Sequence, residues 1–213
     1  MYKIGVDIGT SITKIICVEK ENLNIVYKYS TKEKDIKKSL NRFVTDNNIN
    51  IDKIENITLT GVGGANFNEN FYDIPVKIKD EFLCVAEGAS FITKKDNILV
   101  VSIGTGTAFI RKNQGNIKHM GGTGVGGGTL ENLCRRLANV TSFEEILKYA
   151  EKGNLNNIDL KVKDITENQI SNLNLDTTVC NFGKNGKAND EDLVLAVINM
   201  IFETIGVMSA FLL

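Results

Sequence analysis

Asp7-Ile8-Gly9-Thr10-Ser11-Ile12-Thr13-Lys14 follows the apolar, β-rich run of residues 2–6 and decides how this chain is read. Two other stretches share its make-up: Ser102-Ile103-Gly104-Thr105-Gly106-Thr107, and Gly121-Gly122-Thr123-Gly124-Val125-Gly126-Gly127-Gly128-Thr129. Each reads as a glycine- and hydroxyl-rich turn beyond a strand. Glycine lets the backbone approach a phosphate closely, and successive N–H groups form a nest for an anion. One such turn is a weak signal. Three within half the chain point to several loops around one polyanion, and a nucleoside triphosphate suits them. Glycine also costs conformational entropy on folding, which argues against a purely structural use of so many.

Working outward, residues 2–6, 12–18 and 25–29 read as a strand meander. Ile36, Leu40, Phe43 and Val44 recur at helical spacing, and residues 57–60 read as a strand entering the Gly61-Val62-Gly63-Gly64 turn. Pro75 opens a short extended stretch, residues 76–78, before a helical run from Glu81 to Phe91. The strand pattern restarts at residues 98–103, 108–111 and 116–120, which suggests a second copy of the first architecture. Helices are expected up to Leu137 after the third turn and over residues 143–150. Residues 154–186, rich in Asn, Asp and Gly, read as containing a long functional loop. Residues 190–213 form a strongly apolar helix. Asn199 and Glu203 near its middle, with no basic flank after it, favour a core helix over a membrane anchor. It ends at Phe211-Leu212-Leu213 with no C-cap, so its covering partners are expected beyond the present end.

Composition excludes several classes. With 25 basic and 26 acidic residues, the net charge of −1 gives no field for nucleic acid or an anionic membrane. The lysines at 28, 32, 34, 37 and 38 read as a solvated helix face. Cys17, Cys84, Cys134 and Cys180 form no C-x-x-C pair, so free thiols in a reducing cytoplasm fit better than zinc or iron–sulfur ligation. The N-terminus enters strand-like sequence directly, and export is not expected.

Asp7, at the end of a strand, can hold hydrated Mg²⁺ beside phosphates, or simply satisfy turn amides. Thr10, Ser11 and Thr13 add hydroxyls, and Lys14 adds a point charge. Glu81 starts a helix, either as a first-turn glutamate favouring the dipole or as the carboxylate that takes a proton from an acceptor hydroxyl, with Asp80 its local competitor. Thr105 and Thr107 flank the second turn, whose alternative reading is a simple hairpin. Gly127, Gly128 and Thr129 can present N–H groups at a helix N-terminus. His119, the only histidine, precedes the third turn.

The order of these turns resembles the sugar kinase–actin–Hsp70 superfamily and, more narrowly, the type II pantothenate kinases. Residues 7–14, 75–82, 102–107 and 121–129, Ile158-Asp159-Leu160-Lys161-Val162 and Asn181-Phe182-Gly183 carry the resemblance, in the family's order. It implies an α/β fold of two ribonuclease-H-like, actin-like ATPase halves, with mixed sheets flanked by helices. Residues 1–96 would form the first half and 97–213 the second, incomplete before an adenosine-binding segment. It implies ATP-dependent phosphorylation of the pantothenate 4′-hydroxyl with Mg²⁺, in a cytoplasmic homodimer that engages neither nucleic acid nor membrane. Glu81 falls on the catalytic base. Asp7, Ile8, Gly9, Thr10, Ser11, Ile12, Thr13 and Lys14 fall on the first ATP-phosphate segment, with Asp7 reaching the metal through water. Thr105 falls on a contact to nucleotide and substrate. Gly127, Gly128, Thr129, Leu130, Glu131 and Phe143 fall on nucleotide positions. His119 stands where the family has a substrate-binding arginine, with Lys118 beside it. An N-acetylhexosamine kinase of the same superfamily and a degenerate, non-catalytic relative are the alternatives. An acyl-CoA dehydratase activator would need cluster-ligating cysteines that this spacing does not offer.

Overall fold

In the computed structural model, which describes residues 1–33, 35–64, 67, 70–168 and 172–213, the chain divides into two units. The first comprises residues 1–100 and 111–118, the second residues 101–110 and 119–213. Lys34 of the lysine-rich stretch and residues 169–171 of the Asn-rich stretch lie outside the described residues.

The first unit is built on a five-stranded sheet in the order β3-β2-β1-β4-β5. Its strands are β1 (Tyr2–Ile8), β2 (Thr13–Glu19), β3 (Ile25–Thr31), β4 (Ile54–Thr60) and β5 (Val76–Ile78). Side chains alternate across a strand. Ile4, Val6 and Ile8 of β1 therefore face the core together with Ile15 and Cys17 of β2, while Lys3, Gly5 and Asp7 take the other face. β1 is antiparallel to β2 and parallel to β4, and β5 is parallel to β4. Helix α1 (Ile36–Asp46), capped by Asp35 accepting from the Lys38 amide, closes the core with Leu40, Phe43 and Val44. Each large apolar side chain buried in this way contributes about 1.5–3 kcal/mol. The polar side of α1 carries Lys38, which pairs with Glu33 at 3.0 Å. β1 runs on through Ile8, so the first glycine turn is only residues 9–12. The pairing of Asp7 with Lys14 across the β1–β2 ladder sets that length.

Helix α2 (Glu81–Thr93) follows β5, with Asp80 as its N-cap. Strands β6 (Asn97–Ile103), β7 (Thr107–Asn113) and β8 (Asn116–Thr123) then pair in sequence order. The β7–β8 turn is Gln114 and Gly115, with φ of 48° and 76°, the positive-φ pair that a two-residue hairpin requires. Residues 121–123 belong to β8, so the third glycine-rich stretch is a turn only over residues 124–126.

The second unit continues with α3 (Gly127–Ala138), α4 (Phe143–Ala150), β9 (Leu160–Lys161), α5 (Val162–Ile165), β10 (Thr178–Cys180) and α6 (Asp190–Leu212). β9, α5 and β10 thus lie within residues 154–186, beside the irregular described residues between α5 and β10. β9 and β10 pair antiparallel, and two buried carboxylates organise the segment. Asp159 accepts from the Phe182 amide and from Asn199 Nδ2, both at 2.9 Å. Asp192 accepts from the Asn154 amide at 2.7 Å and from Asn157 Nδ2 at 2.9 Å, and it completes the α6 cap with Asn189. Burial alone would raise the Asp192 pKa, but these donors hold it below the ordinary carboxylate value.

Helix α6 is long and apolar enough to cross a membrane by length and composition. It packs against α3 and α4, and Val194, Val197, Ile201 and Ile205 are among its buried residues. The polar residues in its middle have partners, since Asn199 bonds Asp159 and Glu203 accepts from Asn181 Nδ2 at 2.9 Å.

Candidate active site

Because β1, β4 and β5 are parallel, their carboxyl ends lie at one edge of the first unit's sheet. The strand order makes β1 the point where connections turn from one side to the other. Open α/β sheets bind ligands outside the carboxyl ends of their strands, at such a switch point. Three segments leave this edge: residues 9–12 after β1, residues 61–64 after β4, and residues 79–81 after β5.

The β1 turn is tight, with the Gly9 amide donating to the Ile12 carbonyl at 3.2 Å. A Cβ on Gly9 would sit 2.9 Å from that carbonyl oxygen. Thr10, Ser11 and Ile12 are exposed at the tip. The β4 turn was legible as a turn but not as part of a site. Gly61, at φ +85°, leaves room for Asp7, because a Cβ there would lie 2.6 Å from the Ile8 carbonyl oxygen and 2.8 Å from Asp7 Oδ1. Gly63 donates its amide to Ile8 O at 3.0 Å. The signal for these residues was present in Gly61-Val62-Gly63-Gly64 but carried no side-chain chemistry.

Asp7 Oδ2 lies 3.2 Å from Lys14 Nζ, and both side chains are substantially exposed. A pair this exposed contributes on the order of 1 kcal/mol or less, so a ligand can part it. The β5–α2 junction is fixed by Lys79 N donating to Leu59 O at 2.9 Å and Thr60 Oγ1 donating to Lys79 O at 3.0 Å. Asp80 Oδ1 accepts from the Leu83 amide at 2.9 Å, so it serves as the cap and leaves Glu81 as the other carboxylate. Partial desolvation pushes the Glu81 pKa up. The charges of Asp7 and then Asp80 push it the same way, and Lys14 opposes them. Glu81 is therefore an accessible carboxylate with raised basicity, electrostatically coupled to Asp7 and Lys14. An acid–base group needs that property, and such perturbation clusters at functional sites.

The second unit holds its glycine turns differently. Gly104 N donates to Gly106 O at 2.8 Å, Gly127 N to Gly104 O at 2.8 Å, and Gly128 N to Thr105 O at 3.0 Å. The Gly127 and Gly128 amides are thus committed to the neighbouring turn rather than offered at the α3 N-terminus. The cause is close backbone contact: a Cβ on Gly126 would lie 2.6 Å from the Gly106 carbonyl carbon, and one on Gly127 2.8 Å from Gly104 O. Thr129 Oγ1 accepts from Gly126 N at 3.3 Å and donates to Gly124 O at 2.8 Å. Buried Thr107 donates its hydroxyl to Val125 O at 2.8 Å. The hydroxyls therefore brace these turns, and glycine here has the structural use that its entropic cost had argued against.

Among the residues singled out by sequence, Asp7, Lys14 and Glu81 come together in the first unit. Thr105, Gly127, Gly128 and Thr129 come together in the second. The side chains of Ile8, Thr13 and Leu130 are buried, so those positions meet a ligand only through backbone. Thr105 and Glu131 are exposed, His119 is exposed on β8, and Phe143 is 56% exposed at the start of α4.

The fold is that of the actin-like ATPases. The chain matches the ADPNP-bound activator of 2-hydroxyisocaproyl-CoA dehydratase from Clostridium difficile at TM-score 0.66 and 17% identity, over 100% of this chain and 76% of that one. Component A of (R)-2-hydroxyglutaryl-CoA dehydratase from Acidaminococcus fermentans matches at TM-score 0.59 and 17% identity, over 96% and 69%. The Fumble family pattern matches residues 97–212, more than half of the chain, and the chain belongs to that family. Among relatives, the type II pantothenate kinase of Oceanobacillus iheyensis is 29% identical over 98% of this chain and 78% of its own length. That of Staphylococcus saprophyticus is 28% identical over 97% and 78%.

Proposed function

We propose that this protein is an ATP-dependent kinase that phosphorylates the 4′-hydroxyl of pantothenate in the cytoplasm, the first step towards coenzyme A. One observation carries the reading: Glu81, its basicity raised, stands at the strand edge with Asp7 and Lys14. Family membership and the type II pantothenate kinases among its relatives support a kinase and suggest this acceptor.

Glu81 accepts the proton of the hydroxyl as it attacks the γ-phosphorus, which orients the nucleophile and limits charge build-up on it. Lys14 leaves Asp7 to meet a phosphate oxygen as a point charge. The exposed tip of residues 10–12 offers backbone N–H groups and the Thr10 and Ser11 hydroxyls. Of the second unit's residues, Thr105 is read as a nucleotide position and His119 as one that serves the acceptor.

The donor set fits Mg²⁺. Asp7 is a partly exposed carboxylate, and a small hard cation keeps most of its waters while taking one or two carboxylates plus phosphate oxygens. When bound, the ion would neutralise charge on the phosphoryl oxygens, with Asp7 holding it through water.

A coupled assay of ADP release, run with pantothenate and with N-acetylhexosamines, tests the reading. Pantothenate-dependent release is expected. Release only with the sugars would replace the substrate, and pantothenate binding without release would make the protein a non-catalytic binder. The dehydratase activators share the fold at 17% identity. Here Cys17 and Cys134 are buried, and no group of three metal-ligating side chains occurs among the described residues.

A further inference from the structure

Helix α2 carries Glu81, yet packing holds it weakly. Of its thirteen residues only Ala86 is fully buried. Its fixed points are polar. Asp80 caps its start, Ser90 Oγ donates to Lys95 O at 2.7 Å at its end, and midway Glu87 accepts from Lys112 at 2.8 Å.

Lys112, on β7, is unlike the other described lysines of the first unit. Its side chain is only 7% exposed, and its ammonium also lies 3.0 Å from Asp96 Oδ1. Asp96 ties this cation to the sheet, because its Oδ2 accepts from the Gly115 amide at 3.0 Å and its carbonyl accepts from Gln114 N at 3.3 Å. The buried cation thus joins the middle of α2 to the start of β6 and to the β7–β8 turn. An ammonium so enclosed needs its carboxylates, which ties Glu87 and Asp96 to this one point. From Glu87 back to Glu81 is six residues, about 9 Å of helix, so a tilt of roughly 6° about the joint moves the Glu81 backbone by about 1 Å.

We propose that Lys112 is a positioning residue for the phosphoryl-transfer reaction, setting through Glu87 and Asp96 where α2 presents the Glu81 carboxylate. This rests on the functional reading above, and it adds a residue that touches neither substrate. Misplacing a catalytic group by about 1 Å costs up to roughly 100-fold in rate.

The test is Lys112→Met, with Lys112→Arg and Glu87→Gln as companions, each in a Cys180→Ser background. Cys84, half-buried in the first turn of α2, is then the thiol that reports on this helix, since Cys17 and Cys134 are buried. For Lys112→Met the expected result is a 10- to 100-fold fall in kcat with KM for pantothenate within about threefold. The acid limb of kcat should shift, and Cys84 should react faster with an aromatic disulfide. Lys112→Arg restores most of the rate. Wild-type kcat, acid limb and Cys84 reactivity in a folded Lys112→Met protein would overturn the proposal, as would a fall in melting temperature alone. Should Lys112→Met fail to fold, Glu87→Gln is read by the same criteria, because Glu87 is half-exposed. If the parent itself shows no pantothenate-dependent turnover, the functional reading fails. Cys84 labelling then still decides whether Lys112 holds the N-terminal turn of α2.

Discussion

Two glycine-rich regions of this chain look alike as sequence and differ in physics. At the strand edge of the first unit, glycine makes room for charge. Gly61 has no Cβ where one would strike Asp7 and the Ile8 carbonyl, and the exposed tip of residues 10–12 stands beyond. In the second unit, glycine lets one backbone lock onto another. Gly127 and Gly128 give their amides to Gly104 and Thr105, and Gly126 lies against Gly106 with no space for a methyl group. The first region can reorganise around a ligand, because its central ion pair is exposed and cheap to part. The second is pre-assembled, and its hydroxyls brace turns before any ligand arrives. A glycine motif therefore says that backbone comes close to something, and the hydrogen-bond partners say to what.

The strongest way to break this contrast is to remove the chemistry from the first region alone. Glu81→Gln should lower kcat by about 10²- to 10⁴-fold while nucleotide affinity, read by calorimetry with a non-hydrolysable analogue, stays near the parent value. A variant that turns over normally would take the base role from Glu81. Gly61→Ala acts on the same region through geometry. Its φ of +85° and a methyl group 2.8 Å from Asp7 Oδ1 should cost both turnover and stability. The second region should answer differently. Gly126→Ala keeps an allowed extended backbone, yet its methyl group meets Gly106 backbone at 2.6–2.8 Å, so about 1–3 kcal/mol of stability should be lost. Gly124→Ala, two residues away with nothing within 4 Å of its Cβ, should stay within about 0.5 kcal/mol. Equal melting curves for the two alanine variants would show that the turns are not interlocked.

The regular elements were legible because their periodicities are strong. Apolar, β-rich runs marked the strands around Ile4, Val6 and Ile15, and the helical spacing of Leu40, Phe43 and Val44 marked α1. That Asp7 and Lys14 belong to one site segment was legible too, whereas their pairing face to face across the turn is seen only in the structure. What stayed hidden depends on partners distant in sequence. Asp159 accepts from Phe182, 23 residues on, and from Asn199, 40 residues on, and composition shows neither tie. The same distance concealed Lys112, whose partner Glu87 lies 25 residues earlier. The glycine amides misled for a related reason: a residue type declares a donor but not the carbonyl that takes it.

The smallest expected effect is the most specific to the first region, because it reads charge rather than shape. Glu81 has its pKa raised from the ordinary 4.5 by desolvation and then by Asp7 and Asp80, with Lys14 opposing. A base works ionised, so turnover should fall as pH drops through this raised value, and Glu81→Gln should lose that limb with its activity. Stability runs the other way. A carboxyl that binds its proton more tightly folded than unfolded contributes most at low pH, and that contribution is lost as pH rises through the raised pKa. Asp7→Asn removes a like charge and should move the acid limb down. Lys14→Met removes the opposing charge and should move it up. Both variants will also be slower, but the position of the limb does not depend on its height. Opposite displacements would tie Asp7, Lys14 and Glu81 into one electrostatic unit. Displacement in the same direction, or none, would mean that the three share an edge of the sheet without sharing a reaction.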